Sequence, residues 1–269
     1  MQWRGTYMIN INKLLKYPYS LENTLDKYKN MHFTSIVILT YNQLEYTKLC
    51  IESIRKFTPK DKYELIVVDN NSTDETVKWL KEQSDIKLIL NTENYGVPKG
   101  YNQGINVCVG DNILLLNNDV IVTPNWLYNL DYALWSNYKI GAVSCVSNYV
   151  SNGQKVNVNY NDITSMLDFA NRFNIKDSNK YEKRSKLIGF CFLVKREVVD
   201  KVGLLDEQFF PGNFEDDDYS IRILRANYNL ILCKDTFIHH FGSISFKQNN
   251  MDYKKILKEN KIKFNKKWH

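Results

Sequence analysis

Three apolar runs in this chain stop abruptly at clusters of amide, hydroxyl and carboxyl side chains, and this repeated ending constrains the fold more than any other feature. Leu114-Leu115-Leu116 runs into Asn117-Asn118-Asp119, Ile36-Val37-Ile38-Leu39 into Thr40-Tyr41-Asn42, and Leu65-Ile66-Val67-Val68 into Asp69-Asn70-Asn71-Ser72. A continuous apolar run bounded by turn residues is the pattern of a strand buried on both faces. Singly, each polar ending is an ordinary turn whose side chains bond their own backbone. Together they say more, because parallel strands put like ends at one edge of a sheet, and ligands of open α/β sheets bind there. A carboxylate flanked by amides at that edge suits a hard divalent cation bridging phosphate oxygens.

The intervening sequence supplies the crossovers. Apolar spacing predicts strands over Thr34–Thr40, Tyr63–Asp69, Ile86–Leu90, Asn112–Leu116 and Ile140–Val146. Between them lie helical patterns over Leu44–Phe57, from a cap at Ser72-Thr73-Asp74-Glu75 to Lys81, over Pro98–Val109 and over Trp126–Trp135. This alternation implies an α/β fold, a mostly parallel central sheet with helices on both faces and right-handed crossovers. The second half is less regular. It reads as loop from Ser147 to Asn161, helix over Asp162–Asn174, an apolar strand over Leu187–Val194 interrupted by Gly189, and a helix over Arg196–Val202 capped by Gly203. A helix opening at Glu215, a strand at Leu230-Ile231-Leu232, a turn through Phe237–Gly242 and a helix over Met251–Trp268 complete it. The expected organisation is a helical extension over residues 1–31 packed outside the main fold, a main domain over 32–249 with halves 32–146 and 147–249, and a basic C-terminal helix over 250–269.

Composition excludes several classes. With 269 residues, 43% of them hydrophobic and 13% aromatic, the chain can bury a large core and is not disordered. No apolar run approaches the roughly 18–20 residues that span a bilayer, and the first thirty residues lack the apolar core of a signal peptide, so a cytoplasmic location is expected. The five cysteines, Cys50, Cys108, Cys145, Cys191 and Cys233, have neither disulfide nor metal spacing and read as small core residues. The net charge of +6 is mild and comes largely from Lys254, Lys255, Lys258, Lys261, Lys263, Lys266 and Lys267. Such a tail is a solvated helix face, or it touches an acidic partner or the anionic lipid of an inner membrane surface. Basic residues are not interleaved with aromatics elsewhere, so nucleic acid is not an expected partner.

Two clusters carry chemistry. Glu215-Asp216-Asp217-Asp218 opens a helix, and the helix dipole accounts for one or two carboxylates but not for four that raise one another's pKa. A carboxylate held beside an open pocket can take a proton from an attacking hydroxyl. His239 and His240 are two of only four histidines, and as a pair near a glycine they are candidates for metal or phosphate contact. The segment Asn91 to Asn102, with Gly96, Lys99 and Gly100 at a helix start, suits an anionic group near backbone N–H donors. Its spacing fits neither the phosphate loop of NTPases nor the dinucleotide fingerprint.

From Thr34 to the C-terminus the ordered motifs resemble those of the inverting family 2 glycosyltransferases of GT-A fold, especially the bacterial rhamnosyltransferase-like group. The motifs are Ile38-Leu39-Thr40-Tyr41-Asn42, Val67-Val68-Asp69-Asn70-Asn71-Ser72, Asn94-Tyr95-Gly96, Leu116-Asn117-Asn118-Asp119, Gly203-Leu204-Leu205-Asp206-Glu207, Glu215-Asp216-Asp217-Asp218 and His240-Phe241-Gly242. The resemblance implies that Thr40, Tyr41, Asn42, Asp69 and Asn70 line the nucleotide pocket, with Asn70 where many members carry an acid that reads the base. It implies that Asn94, Gly96, Lys99, Asn102 and Asn117 face the nucleotide sugar, that Asn118 faces the ribose, and that Asp119 and His240 bind Mn²⁺ or Mg²⁺, His239 being the nearest competitor. It makes Asp216 the general base, with Gly189, Asn213 and Glu215 on the acceptor side. The donor expected is a UDP- or dTDP-sugar, and the acceptor a surface glycan or a protein such as flagellin. The competing expectation is a non-catalytic sugar-nucleotide or glycan-binding module, since only Asp119 of the triplet keeps a carboxylate.

Overall fold

The computed structural model describes residues 10–22, 25–242 and 253–268. The expectations for residues 1–9, for 243–250 and for Met251 at the start of the last helix lie outside the described residues.

The order of elements is α1 (Ile11–Leu15), α2 (Leu25–Tyr28), β1 (Thr34–Thr40), α3 (Leu44–Phe57), β2 (Tyr63–Asp69), α4 (Thr76–Lys81), β3 (Ile86–Leu90), α5 (Gly96–Ile105), β4 (Asn112–Asn117), β5 (Val120–Ile121), α6 (Trp126–Trp135) and β6 (Ile140–Ser147). There follow α7 (Ile163–Phe173), β7 (Tyr181–Arg184), β8 (Cys191–Lys195), α8 (Arg196–Val202), α9 (Glu215–Arg225), β9 (Asn229–His240) and α10 (Tyr253–Trp268). One sheet runs β3-β2-β1-β4-β8-β6-β9-β5, with β7 paired to β9. Strands β1 to β4 are parallel, and β8 is antiparallel to its neighbours β4 and β6. Strand β1 is buried at six of its seven positions and β4 at five of six, as a sheet covered on both faces requires.

Register decides what the sheet presents. Thr40 pairs with Asp69 and Leu39 with Asn117, so the three polar endings stand side by side at the C-terminal edge. The core is one continuous cluster reaching from Leu14 and Tyr28 in the leading helices to Ile238 in β9.

Helix α4 starts at Thr76, directly after its expected cap segment. Before it, Ser72 and Thr73 bond Asn42, and Asp74 accepts from the Thr76 N–H. Three elements depart from the expected boundaries, and in each the backbone found another partner. Helix α5 ends at Ile105, and the Val109 and Gly110 N–H groups that follow turn back to Ser35 Oγ. Strand β8 begins at Cys191 because Leu187, Ile188 and Gly189 give their N–H groups to the side chains of Ser220, Gln154 and Asp216. The segment expected as a short strand and a turn is one twelve-residue strand, β9, in which His239 and His240 are the last two positions.

Candidate active site

The polar edge contains two kinds of residue. One kind is spent on holding the edge together. Thr40 and Asn118 are buried, with Asn118 Nδ2 donating to the hydroxyls of Thr47 (3.0 Å) and Thr40 (3.3 Å). Asp69 is buried, accepts from the Ser72 N–H at 2.8 Å, and has its carboxyl pushed up by desolvation. Asn70 gives Nδ2 to the Gly96 carbonyl (3.1 Å) and receives the Asn91 amide on Oδ1 (2.8 Å). Asn102 bonds the backbone of Leu205 from both ends of its amide and also bonds Glu207. Asn42 Oδ1 accepts from the Thr73 N–H at 2.7 Å, and Asn94 Oδ1 from the Gly96 N–H at 2.9 Å. Buried amides need partners, and Asn70 and Asn102 have found them within the chain at both ends. The structure therefore gives Thr40, Asn70, Asn102 and Asn118 framework positions rather than open ones. Of the expected donor-side residues, Tyr41 and Lys99 remain half-buried, with the Lys99 ammonium 3.7 Å from the centre of the Tyr95 ring.

The other kind opens onto a cavity of about 630 Å³. Asn117, His240, Gly189, Asn213, Glu215 and Asp216 line it, together with Tyr101, Lys186 and Leu257. Alternation along β9 separates the two histidines. His239 faces Tyr160, whose hydroxyl lies 2.7 Å from Nδ1, and burial lowers its pKa to about 3, so it stays neutral. His240 Nδ1 is 2.7 Å from the Tyr149 carbonyl, which can only accept, so Nδ1 carries the hydrogen and Nε2 faces Asp119 Oδ1 at 3.1 Å. A backbone carbonyl that fixes the tautomer in this way is the usual support of a metal-binding imidazole. A nitrogen and an oxygen donor 3.1 Å apart also match adjacent ligands of one cation whose bonds are about 2.0–2.2 Å. Among the described residues no group of three or more His, Cys, Asp and Glu could hold a metal. The Asp119–His240 pair thus fits a cation that takes its remaining ligands from phosphate and water, as Mg²⁺ commonly does. Asp119 reaches the cavity through His240.

The four acids of α9 have separate duties. Asp217 pairs with Lys186 at 2.6 Å. Asp218, fully buried, accepts from Arg222 Nε (2.9 Å), Lys267 Nζ (2.6 Å) and Trp268 Nε1 (3.0 Å). Glu215 and Asp216 face the cavity, and burial, reinforced by the charge of Asp216, holds the Glu215 carboxyl well above the usual carboxylate range. Asp216 is raised to about 6, first by desolvation and then by Asp217, not by three acidic neighbours alike. Its oxygens accept from the Gly189 N–H (2.8 Å) and the Asp217 N–H (2.9 Å), which keeps the shift modest. A Cβ on Gly189 would lie 3.3 Å from the Asp216 Cβ, so the glycine permits this approach. Tyr101 and Leu257 escaped the sequence reading. Tyr101 sits on a helix that starts at the polar edge, which was the available signal, whereas nothing marked Leu257 on a distant helix.

The segment from residue 35 to residue 203, more than half of the chain, matches the model of Glycosyl transferase family 2. The chain belongs to that family. Among relatives of this family 2 chain, glycosyltransferase AglE of Haloferax volcanii is 26% identical over 228 residues, covering 80% of this chain and 70% of that protein. Uncharacterized protein y4gI of Sinorhizobium fredii is 27% identical over 227 residues, and the match takes in 78% of this chain but only 24% of that protein. Among solved structures, GalNAc-T7 with UDP, GalNAc and Mn²⁺ superposes with a TM-score of 0.64 at 16% identity, covering 79% of this chain and 43% of that one. The mannosyltransferase PcManGT of Pyrobaculum calidifontis, in complex with GDP-Man and Mn²⁺, gives 0.58 at 20% identity, covering 85% and 64%. The fold is GT-A, α/β with a mostly parallel central sheet flanked by helices. No helix among the described residues is long and apolar enough to cross a membrane.

Proposed function

We propose that this chain is an inverting, metal-dependent glycosyltransferase moving a sugar from a nucleotide-diphosphate sugar to a hydroxyl acceptor. The observation that carries the reading is that Asp216, with its carboxyl near pH 6, and His240, paired with Asp119, line the same cavity. Asp119 and His240 would hold Mn²⁺ or Mg²⁺, and the cation would supply positive charge against the leaving diphosphate. Asp216 takes the proton of the acceptor hydroxyl, whose oxygen bonds to the anomeric carbon from the side opposite the diphosphate. Configuration inverts in one displacement without a covalent sugar–enzyme intermediate. Glu215, Asn213 and the Gly189 turn form the acceptor side.

The resemblance favours a UDP- or dTDP-sugar as donor, with a hexosyl, N-acetylhexosaminyl or rhamnosyl group, and a surface polysaccharide or a protein such as flagellin as acceptor. The outward lysines of α10, Lys254, Lys255, Lys258, Lys261 and Lys266, support contact with anionic lipid at an inner membrane face. Mn²⁺ in two similar solved proteins supports the choice of cation. The test is a panel of UDP-, dTDP- and GDP-sugars with and without Mn²⁺ or Mg²⁺, scored for thermal stabilisation and hydrolysis. One donor should stabilise the protein only with metal present, and stabilisation by none would overturn the reading. Asp216→Asn should retain that binding and lose turnover by about 10²–10⁴-fold. Unchanged behaviour in both assays would instead make the chain a sugar-nucleotide-binding module.

A further inference from the structure

We infer that helix α10 sets the position of Asp216, with Asn260 as the positioning residue; the inference rests on the glycosyl-transfer reading. Asn260 is buried to 1% exposure in a helix that is otherwise largely lysine. Its two amide hydrogens are shared among four backbone carbonyls of one loop, Phe209 and Gly212 at 2.9 Å, Phe210 and Asn213 at 3.3 Å. Lys263 Nζ donates to Asn260 Oδ1 at 2.9 Å and to the Gln208 carbonyl at 2.7 Å, which orients the amide with its hydrogens toward the loop.

The clamped loop needs holding. Asn213 and Phe214 have φ of 73° and 74°, two successive non-glycine residues in the left-handed region, which is costly for a bulky side chain. The ring of Phe214 packs against Phe264 of α10, with centroids 5.4 Å apart. The next two residues are Glu215 and Asp216. Beyond them, Lys267 and Trp268 of the same helix hold Asp218. Helix α10 therefore grips the chain on both sides of Asp216, and Leu257 adds to the cavity wall. At its middle the loop also touches the start of α5, where the Pro211 carbonyl accepts from the Val97 N–H at 2.8 Å.

A displacement of about 1 Å from productive geometry can cost on the order of 10²-fold in rate. Asn260→Leu keeps the branched heavy-atom shape and removes the donors. Donor hydrolysis with Mn²⁺, water serving as acceptor, should show kcat lower by about 10- to 100-fold with donor KM and metal-dependent stabilisation within about 3-fold of wild type. The acid limb of its pH profile should move, because Asp216 leaves the Gly189 N–H. Lys263→Met, a milder change nearer the surface, should lower kcat by about 3- to 10-fold in the same pattern, and it decides the matter if Asn260→Leu does not fold. Wild-type kcat in the variant that folds, or parallel loss of donor affinity, thermal stability and kcat, overturns the inference alone. A wild-type chain that neither binds nor hydrolyses any sugar nucleotide overturns the functional reading and the inference with it.

Discussion

The proposed base, Asp216, would act only when deprotonated, and its carboxyl is raised from 3.8 to about 6. Turnover should therefore rise with pH to a midpoint near 6 and fall about tenfold per unit below it, measured as kcat for donor hydrolysis. A flat profile between pH 5 and 7 would exclude Asp216 as the base. The same shift has a cost to the fold. A raised carboxyl favours the native state below its unfolded value of 3.8, and that contribution is lost as pH rises through about 6. His240→Ala should lower the metal-free melting temperature, since the side chain is buried, and separately weaken Mn²⁺-dependent stabilisation by the donor at least about tenfold. Equal stabilisation in wild type and variant would remove His240 from the metal site. At this scale the motifs mark Asn70, Asn102 and Asn118 as facing the nucleotide sugar, and in the structure all three are buried and bonded within the chain. An amide in a motif does not reveal which of its neighbours will satisfy it, and burial gave each of these an internal partner.

Elements were legible where one physical rule acted alone. Strands β1 and β2 and helices α3 and α6 fall where apolar periodicity puts them, because continuous burial leaves a continuous signal. Strand β9 was not legible, since Lys234-Asp235-Thr236 interrupts its apolar pattern. In the structure Asp235 is buried, accepting the Asp177 N–H at 2.8 Å and the Thr236 hydroxyl at 3.0 Å, so the strand continues through it. Helix α10 shows the same limit, for its lysines read as solvated while Lys267 and Asn260 dock it onto the base-bearing segment. Asp218 joins α9 to α10 through Lys267 and Trp268, and also pairs with Arg222 one turn along its own helix. Asp218→Ala removes a fully buried carboxylate from two cations, Lys267 keeping Asp206 at 2.7 Å and Arg222 the Val202 carbonyl at 2.8 Å, and should destabilise by about 1–3 kcal/mol, read from denaturant unfolding. A loss below about 1 kcal/mol would show that this junction contributes little.

The whole molecule interleaves its two sequence halves. Strand β6, the last of the first half, lies between β8 and β9 of the second, and β4 pairs with β8. A fragment of residues 32–146 would expose β4 and β6 as long apolar edges, so it should show no cooperative unfolding and should aggregate. A sharp thermal transition in that fragment would refute this. By itself the sequence determined the mostly parallel α/β sheet and its polar edge, because hydrophobic period and strand-end composition are local properties. Only the tertiary structure decided which amides are framework, which histidine meets Asp119, and that the last helix holds the segment around Asp216. Those outcomes depend on partners as many as 121 positions apart, as His240 is from Asp119, and no local pattern specifies contacts at that range.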